Sequence, residues 1–453
     1  MNYSVRRSLA ALAAALILLL TAACGKADPA EQVKGITAAS SDTLRVSGGM
    51  MTYYINVTAR NYAQQNSRYL ETLGLDLTQP LHIQPCYYDK ETTWFDYFAG
   101  NTLSTVEWML AFGEQAKATG AVLTQEEEEG IRTVLARADL SQFGEQVTAE
   151  DVRAGMELYY LAARQEALAR REIRPTEQQV TDWAAANEKR LQLAAYAHYT
   201  IAFGEKNPYP DKEAAEALAA EMLAADSTEA FAALIEREFV ARELYTAETI
   251  AENRGIYRTR GHGYTEGNEL DEWLFGGGVK VGDTFRVDGE GEISLYQCLE
   301  VPARSEAAAV DVRHILITPD TAGSDAAAFN RAEKALADWK AGPATEESFA
   351  DLAAANSEDG NASQGGLYTA VTQGVMVDAF NDWCFDPARK PGDTGIVKTA
   401  YGYHVMYFVE AGEEWYLAAR AMYREEQFDA LYKQLIEKYH VQLFPEETAK
   451  LDL

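Results

Sequence analysis

The chain has 453 residues, 47% of them hydrophobic and 24% charged, with a formal net charge of -30. That length exceeds what one core usually serves, so two to four domains are expected. The negative charge argues against a nucleic-acid-binding face and against attraction to an anionic bilayer, and is read as keeping an exported protein soluble.

Arg6 and Arg7 precede an apolar stretch over 8–20, too short to span a bilayer comfortably. It ends in Leu20-Thr21-Ala22-Ala23-Cys24-Gly25, which resembles a bacterial lipobox, with Thr21 where Leu is usual. The expectation is a signal peptide over 1–23, a lipid on Cys24 holding the protein to the outer face of a bacterial cell membrane, and a polar tether over 24–44. Cys86, Cys298 and Cys384 are odd in number and match no metal spacing, so they are read as small apolar residues.

Residues 45–190 carry apolar residues at helical spacing over 50–73, 102–119, 124–138 and 148–170. Thr124 with Glu127, and Thr148 with Asp151, read as capping boxes; Thr176 reads as the N-cap of a further helix.

A repeat organises the rest. Asp271-Glu272-Trp273-Leu274-Phe275, Lys280 and Gly282-Asp283-Thr284 recur as Asn381-Asp382-Trp383-Cys384-Phe385, Lys390 and Gly392-Asp393-Thr394. Ala197-His198-Tyr199-Thr200-Ile201 matches Arg313-His314-Ile315-Leu316-Ile317, and Arg254-Gly255-Ile256-Tyr257 echoes Gly365-Gly366-Leu367-Tyr368. Two tandem copies of one α+β domain are expected, in domains 191–305 and 306–412, each a sheet with helices packed on it. Over 413–453 one amphipathic helix needs a partner, and the helical region at 45–190 is the expected one. The fold class is therefore α+β: a helical N-terminal module completed by the C-terminal helix, plus the two copies.

The second copy is identified as a member of the parvulin peptidyl-prolyl isomerases. The resemblance rests on Val312-Arg313-His314-Ile315-Leu316, Phe349-Ala350-Asp351-Leu352-Ala353, Ser357-Glu358-Asp359, Gln364-Gly365-Gly366-Leu367, Met376, Phe380, and Val397 through Thr399, Tyr401, Gly402, Tyr403 and His404 to Val405. It implies catalytic roles for His314, Asp359, Thr399 and His404, a proline pocket of Leu367, Met376 and Phe380, and Tyr401 at its rim. Read from the residues alone, the three apolar side chains are core and each histidine is a satisfied core histidine. The turn after the glycine pair departs from the family's Asp-Leu-Gly, and the stretch 318–324 lacks the basic cluster of phosphate-directed members.

The activity implied is X–Pro isomerisation without cofactor or metal, by binding the twisted amide more tightly than either planar form. The first copy keeps His198 but has Ser294 in place of the closing histidine, and is expected to be degenerate. The whole arrangement resembles extracellular foldases of the PrsA and SurA kind, whose partners are unfolded or partly folded exported proteins. The alternative is a holdase that binds unfolded clients with little isomerase activity.

Overall fold

The computed structural model describes residues 35–453 apart from 138, 144, 145 and 452, so the signal peptide expected over 1–23 and the lipid expected on Cys24 lie outside the described residues. No described helix is long and apolar enough to cross a membrane. The described residues form two compact units, one built from 35–174 together with 424–453, the other from 175–423.

In the first unit, β1 (Thr37–Ser40) pairs antiparallel with β2 (Arg45–Ser47) on one side and with Gln442–Leu443 on the other. This corrects the tether expected to reach residue 44. Ala38 and Ala39 are small enough to be fully buried in the middle strand. The turn that follows is fastened to the buried Glu114, whose carboxylate accepts from the Ser41 hydroxyl at 2.7 Å and the Thr43 amide at 2.6 Å. Burial opposes ionisation of that carboxyl, but these hydrogen bonds outweigh it and hold it below its ordinary range.

The longer helices that follow are α1 (Gly48–Gln65), α2 (Trp94–Ala118), α3 (Gln125–Arg137) and α4 (Ala149–Glu172). The expected boxes at Thr124–Glu127 and Thr148–Asp151 are present, and Thr93–Asp96 caps α2 in the same way. The helix expected over 50–73 breaks after Gln65 and resumes at Leu70–Leu73. Phe428, Tyr432 and Leu435, from the second half of the helix Glu414–Lys438, and Tyr439 just after it are buried in the same core as α1, α2 and α4. Phe428 and Tyr432 stack on Phe112 with centroids 5.8 and 6.0 Å apart.

The second unit opens with α5 (Glu177–Ala186), capped by Thr176 and Gln179. Its Val180, Trp183 and Ala184 pack with Ala419, Trp415 and Met422, so this helix belongs with the sheets and not with the helical N-terminal region. The first copy then runs β3 (Gln192–Ala202), α6 (Lys212–Leu223), α7 (Thr228–Ala241), β4 (Arg258–Gly263), α8 (Glu269–Leu274), β5 (Thr284–Gly289) and β6 (Glu292–Arg304). The second runs β7 (Ala308–Ile317), α9 (Asp325–Ala341), α10 (Glu346–Asn356), β8 (Leu367–Thr372), α11 (Asp378–Cys384), β9 (Thr394–Thr399) and β10 (Gly402–Glu413). The strand orders are β4-β3-β6-β5 and β8-β7-β10-β9, antiparallel throughout.

In both copies one face of the sheet carries the two long helices. In the second, Ile315, Ile317, Tyr403 and Val405 pack against the alanines of α9 and Phe349 of α10. Side chains alternate across a strand, so His314, Leu316, His404 and Met406 face the other way. The repeated Lys-x-Gly-Asp segment builds the same turn twice. The backbone amides of Lys280 and Lys390 donate to Asp283 and Asp393 at 2.9 and 2.8 Å, and Gly282 and Gly392 sit at φ 93 and 91. One echo is out of register. Leu367 pairs with Arg313 as Arg258 pairs with Ala197, so Tyr257 matches Gly366 and not Tyr368.

Candidate active site

The site lies on the sheet face of the second copy turned away from α9 and α10. The central strands β7 and β10 pair His404 with Leu316 and Met406 with His314, which sets the two imidazoles side by side on one face. Their Nδ1 atoms are 3.0 Å apart and the rings are nearly parallel, at 21°. Both histidines are buried, at 2% and 6% exposure, so each ring nitrogen needs a partner. His314 Nε2 lies 3.1 Å from Asp359 Oδ2, and His404 Nε2 lies 2.8 Å from Thr399 Oγ1.

Ser357-Glu358-Asp359 presents that carboxylate. The Ser357 hydroxyl accepts from the Leu316 amide at 3.1 Å, and the Glu358 amide donates to the Leu316 carbonyl at 2.9 Å, lashing the loop to β7. Glu358 then takes the Thr318 amide and hydroxyl. Two glycines permit the close approach. A Cβ on Gly366, at φ 66, would fall 2.0 Å from the His314 carbonyl oxygen, and one on Gly402 would fall 2.4 Å from that of Ile317.

The electrostatics follow from burial and these partners. The hydrogen bond from His314, against the opposing effect of burial and with help from Tyr368, holds the Asp359 carboxyl well below the usual carboxylate range. Burial, with His314 beside it, pushes the His404 imidazole down to about 4. With both rings neutral the protons have one consistent order. Asp359 can only accept, so His314 carries its hydrogen on Nε2 and accepts at Nδ1. His404 then donates from Nδ1, and its Nε2 accepts from the Thr399 hydroxyl, which accepts in turn from the Tyr401 amide at 3.1 Å.

Phe380, from α11, sets its edge against both imidazoles with centroids 5.5 Å away. Met376 packs in the same apolar cluster, half-buried. The Tyr401 side chain is exposed, and what it brings to the network is its backbone amide.

Leu367 is a correction. It pairs directly with Arg313, whose guanidinium reaches Glu346 on α10 at 2.9 Å, so both belong to the helix-bearing face. Tyr368 stands in its place. The Tyr368 ring stacks on His314 with centroids 5.0 Å apart, and its hydroxyl donates to Asp359 Oδ2 at 2.7 Å. A bulge explains the slip. Val371 pairs with Val310 and Tyr368 with Val312, leaving one extra residue on β8, where Ala370 adopts φ 52 and donates its amide to Asp311. Counting alternate residues back from Val371 assigns Leu367 to the site; the bulge hands that place to its neighbour.

Cys298 and Cys384 are buried and unpaired, and burial pushes their thiols up to about 11 and 12, which makes them inert packing residues.

The first sheet lacks this constellation. His198 Nε2 meets Thr200 Oγ1 on its own strand at 3.0 Å, Thr200 meets Ser294 at 3.1 Å, and Tyr296 stacks on the imidazole at 4.6 Å.

No curated protein matches the chain. Among solved structures, it is similar to the peptidylprolyl isomerase PrsA of Bacillus anthracis, at 12% identity over 63% of this chain and 99% of that one, with a TM-score of 0.21. It is also similar to a structure from Campylobacter jejuni described with the SurA-like chaperones PEB4 and Cj1289, at 16% identity over 70% of this chain and 92% of that one, with a TM-score of 0.19. The family model of the PPIC-type PPIASE domain matches residues 293–411, a span that contains His314, Asp359, Thr399, Met376, Phe380 and His404. The chain thus carries a parvulin-type peptidyl-prolyl cis/trans isomerase domain, and that domain holds the imidazole pair.

Proposed function

We propose that the chain is an exported foldase that isomerises X–Pro bonds in unfolded or partly folded exported proteins, at the face formed by His314, His404, Asp359, Thr399, Met376 and Phe380. The observation that carries this reading is the buried imidazole pair, fully hydrogen-bonded, beneath the edge of Phe380. Rotation about an amide resists by about 18–20 kcal/mol because resonance is lost. It needs no nucleophile and no cofactor. It needs a site that binds the twisted form best. Phe380 and Met376 supply apolar surface for a proline ring, and the Thr399–His404–His314–Asp359 chain supplies a fixed polar floor beside the amide.

The lipobox-like ending at Cys24 supports an anchor on the outer face of a bacterial cell membrane. The stretch 318–324 carries no cation, which supports activity without a phosphate requirement. The first copy, with Ser294 and Thr200 in the floor, is assigned a binding or spacing role. The limits we assign are a helical module over 35–174 completed by 424–453, a helix at 177–186 packed with the sheets, and copies at 191–305 and 306–412.

Exposed Tyr69, Ile83, Tyr87 and Tyr88 in the first unit favour a second reading, a holdase that captures unfolded chains. One experiment separates the two. Prolyl exchange in a peptide is followed by NMR with the full chain and with Met376→Ala, beside suppression of aggregation of a client lacking proline. Loss of exchange on Met376→Ala supports the isomerase. No exchange with the unaltered chain, but full suppression of aggregation, supports the holdase.

A further inference from the structure

We propose that Tyr368 is a positioning residue of this site, whose hydroxyl holds Asp359 against His314 and so fixes which nitrogens of the imidazole pair carry protons. The bulge at Ala370 turns Tyr368 onto the site face, flat against His314 and edge-on to Phe380 at 6.3 Å. Its hydroxyl and His314 Nε2 share one acceptor, Asp359 Oδ2, at 2.7 and 3.1 Å. The carboxylate is therefore pinned by donors from two neighbouring strands.

Burial and the adjoining carboxylate push the Tyr368 phenol well above its ordinary value, so it remains a donor. A pinned, ionised Asp359 admits only a hydrogen on His314 Nε2, and the proton order along the chain to Thr399 follows. The groups facing Tyr368 are Asp359 from the loop after α10, His314 from β7 and Phe380 from α11. His404 lies behind His314 on β10, and Cys384 of the same apolar cluster stays a thiol. The first copy shows the arrangement undone. By register the counterpart of Tyr368 is Thr259, and its histidine turns to a threonine in place of a carboxylate.

The effect on rate rests on the isomerase reading; the proton order does not. The test uses the full-length protein with nitrogen-labelled histidine, of which the chain has six, and carbon-labelled aspartate. In the unaltered protein at pH 7, the expected signals place hydrogen on His314 Nε2 and His404 Nδ1. In Tyr368→Phe, those signals move toward tautomer-averaged positions, the Asp359 carboxyl midpoint rises by about half a pH unit or more, and the acid limb of prolyl exchange moves up with it. Tyr368→Leu, which also lacks the hydroxyl, shows the same shifts. Unchanged histidine signals and an unchanged Asp359 midpoint in either folded variant overturn the proposal. If both variants unfold, the hydroxyl is a structural tie and the proposal is equally overturned. If the unaltered protein exchanges no prolyl bonds, the isomerase reading fails, and the nitrogen signals still decide the role of Tyr368.

Discussion

The two sheets of the second unit share a strand order and differ in chemistry, and the difference shows what the internal repeat encodes. The recurring residues build frame. The Lys-x-Gly-Asp turn recurs with the same hydrogen bonds, and the backbone amides of Phe275 and Phe385 donate to the carbonyls of Asp271 and Asn381 at 2.8 and 3.0 Å. The chemistry sits where the copies diverge. Ser294 and Thr200 occupy the cross-strand positions held in the second sheet by His404 and Leu316, and Tyr296 occupies that of Met406. The first copy's most buried carboxylate, Asp271, is spent on His262 and the Thr265 amide at the far end of the sheet. A frame can persist while its site disperses, because turns and core packing do not depend on which polar groups line the opposite face.

The largest expected effect comes from making the second sheet resemble the first. His404→Ser removes one imidazole, leaves His314 Nδ1 without its partner, and frees Thr399. Prolyl exchange catalysed by the full chain is expected to fall on the order of 10²-fold, the scale for losing one preorganised donor. The measurement is NMR exchange at fixed enzyme concentration. Near-normal exchange would show that the divergence between the copies lies elsewhere than in this floor.

Much of this was legible in the sequence. The helix starts at Thr124, Thr148 and Thr176 follow from local hydrogen bonding, which a short motif encodes. The structure joins His314, Asp359, Thr399 and His404 in one hydrogen-bonded chain, sets Phe380 beside both imidazoles and puts Met376 in the apolar cluster of Phe380. The misses have two causes: partners distant in sequence, and a backbone irregularity. Ala38 and Ala39 look like tether until a strand from residues 442–443 pairs with them. Glu177–Ala186 reads as one more helix of the region 45–190, and residues far along the chain, Trp415, Ala419 and Met422 among them, decide which core it joins. The resemblance assigns Leu367 to the pocket by its place after the glycine pair, but the pairing with Arg313 and the extra residue near Ala370 put Tyr368 on the site face instead.

The second expected effect is on stability. The His404 imidazole is held at about 4 in the folded protein against an ordinary 6.5, mainly by burial and then by His314. As pH falls the unfolded chain takes up that proton first. The stabilisation is therefore complete above about pH 6.5 and is lost between about 6.5 and about 4, with an upper bound of about 3 kcal/mol. Asp359, whose carboxyl lies below its ordinary value, adds a loss only at lower pH. In the first sheet His198 is also lowered, by burial against the opposing charge of Glu292, so its contribution has the same sign. Urea midpoints at pH 7 and pH 4.5 should differ less in His404→Ser than in the unaltered chain. An equal difference in both would mean that His404 titrates normally and that the pair is not the acid-sensitive part of the fold.

The smallest expected effect tests the register on which the comparison of the sheets depends. Leu367 and its counterpart Arg258 pair with Arg313 and Ala197, and directly opposed residues share a face. Arg313 settles which face, because its Nη1 donates to the carbonyls of Gln364 and Gly365 while its Nε reaches Glu346 on α10. Leu367→Ala should thus lower stability by about 1–2 kcal/mol, the cost of trimming a half-buried leucine, and change prolyl exchange by less than about twofold. A drop in exchange approaching that of His404→Ser would put Leu367 against the proline ring. The bulge would then be misplaced by one residue, and Tyr368 would lose its access to Asp359. Separate outcomes for stability and rate at this position would show that the helix-bearing face holds the sheet together while the opposite face does the chemistry, the same division that lets the first copy keep its fold without a second histidine.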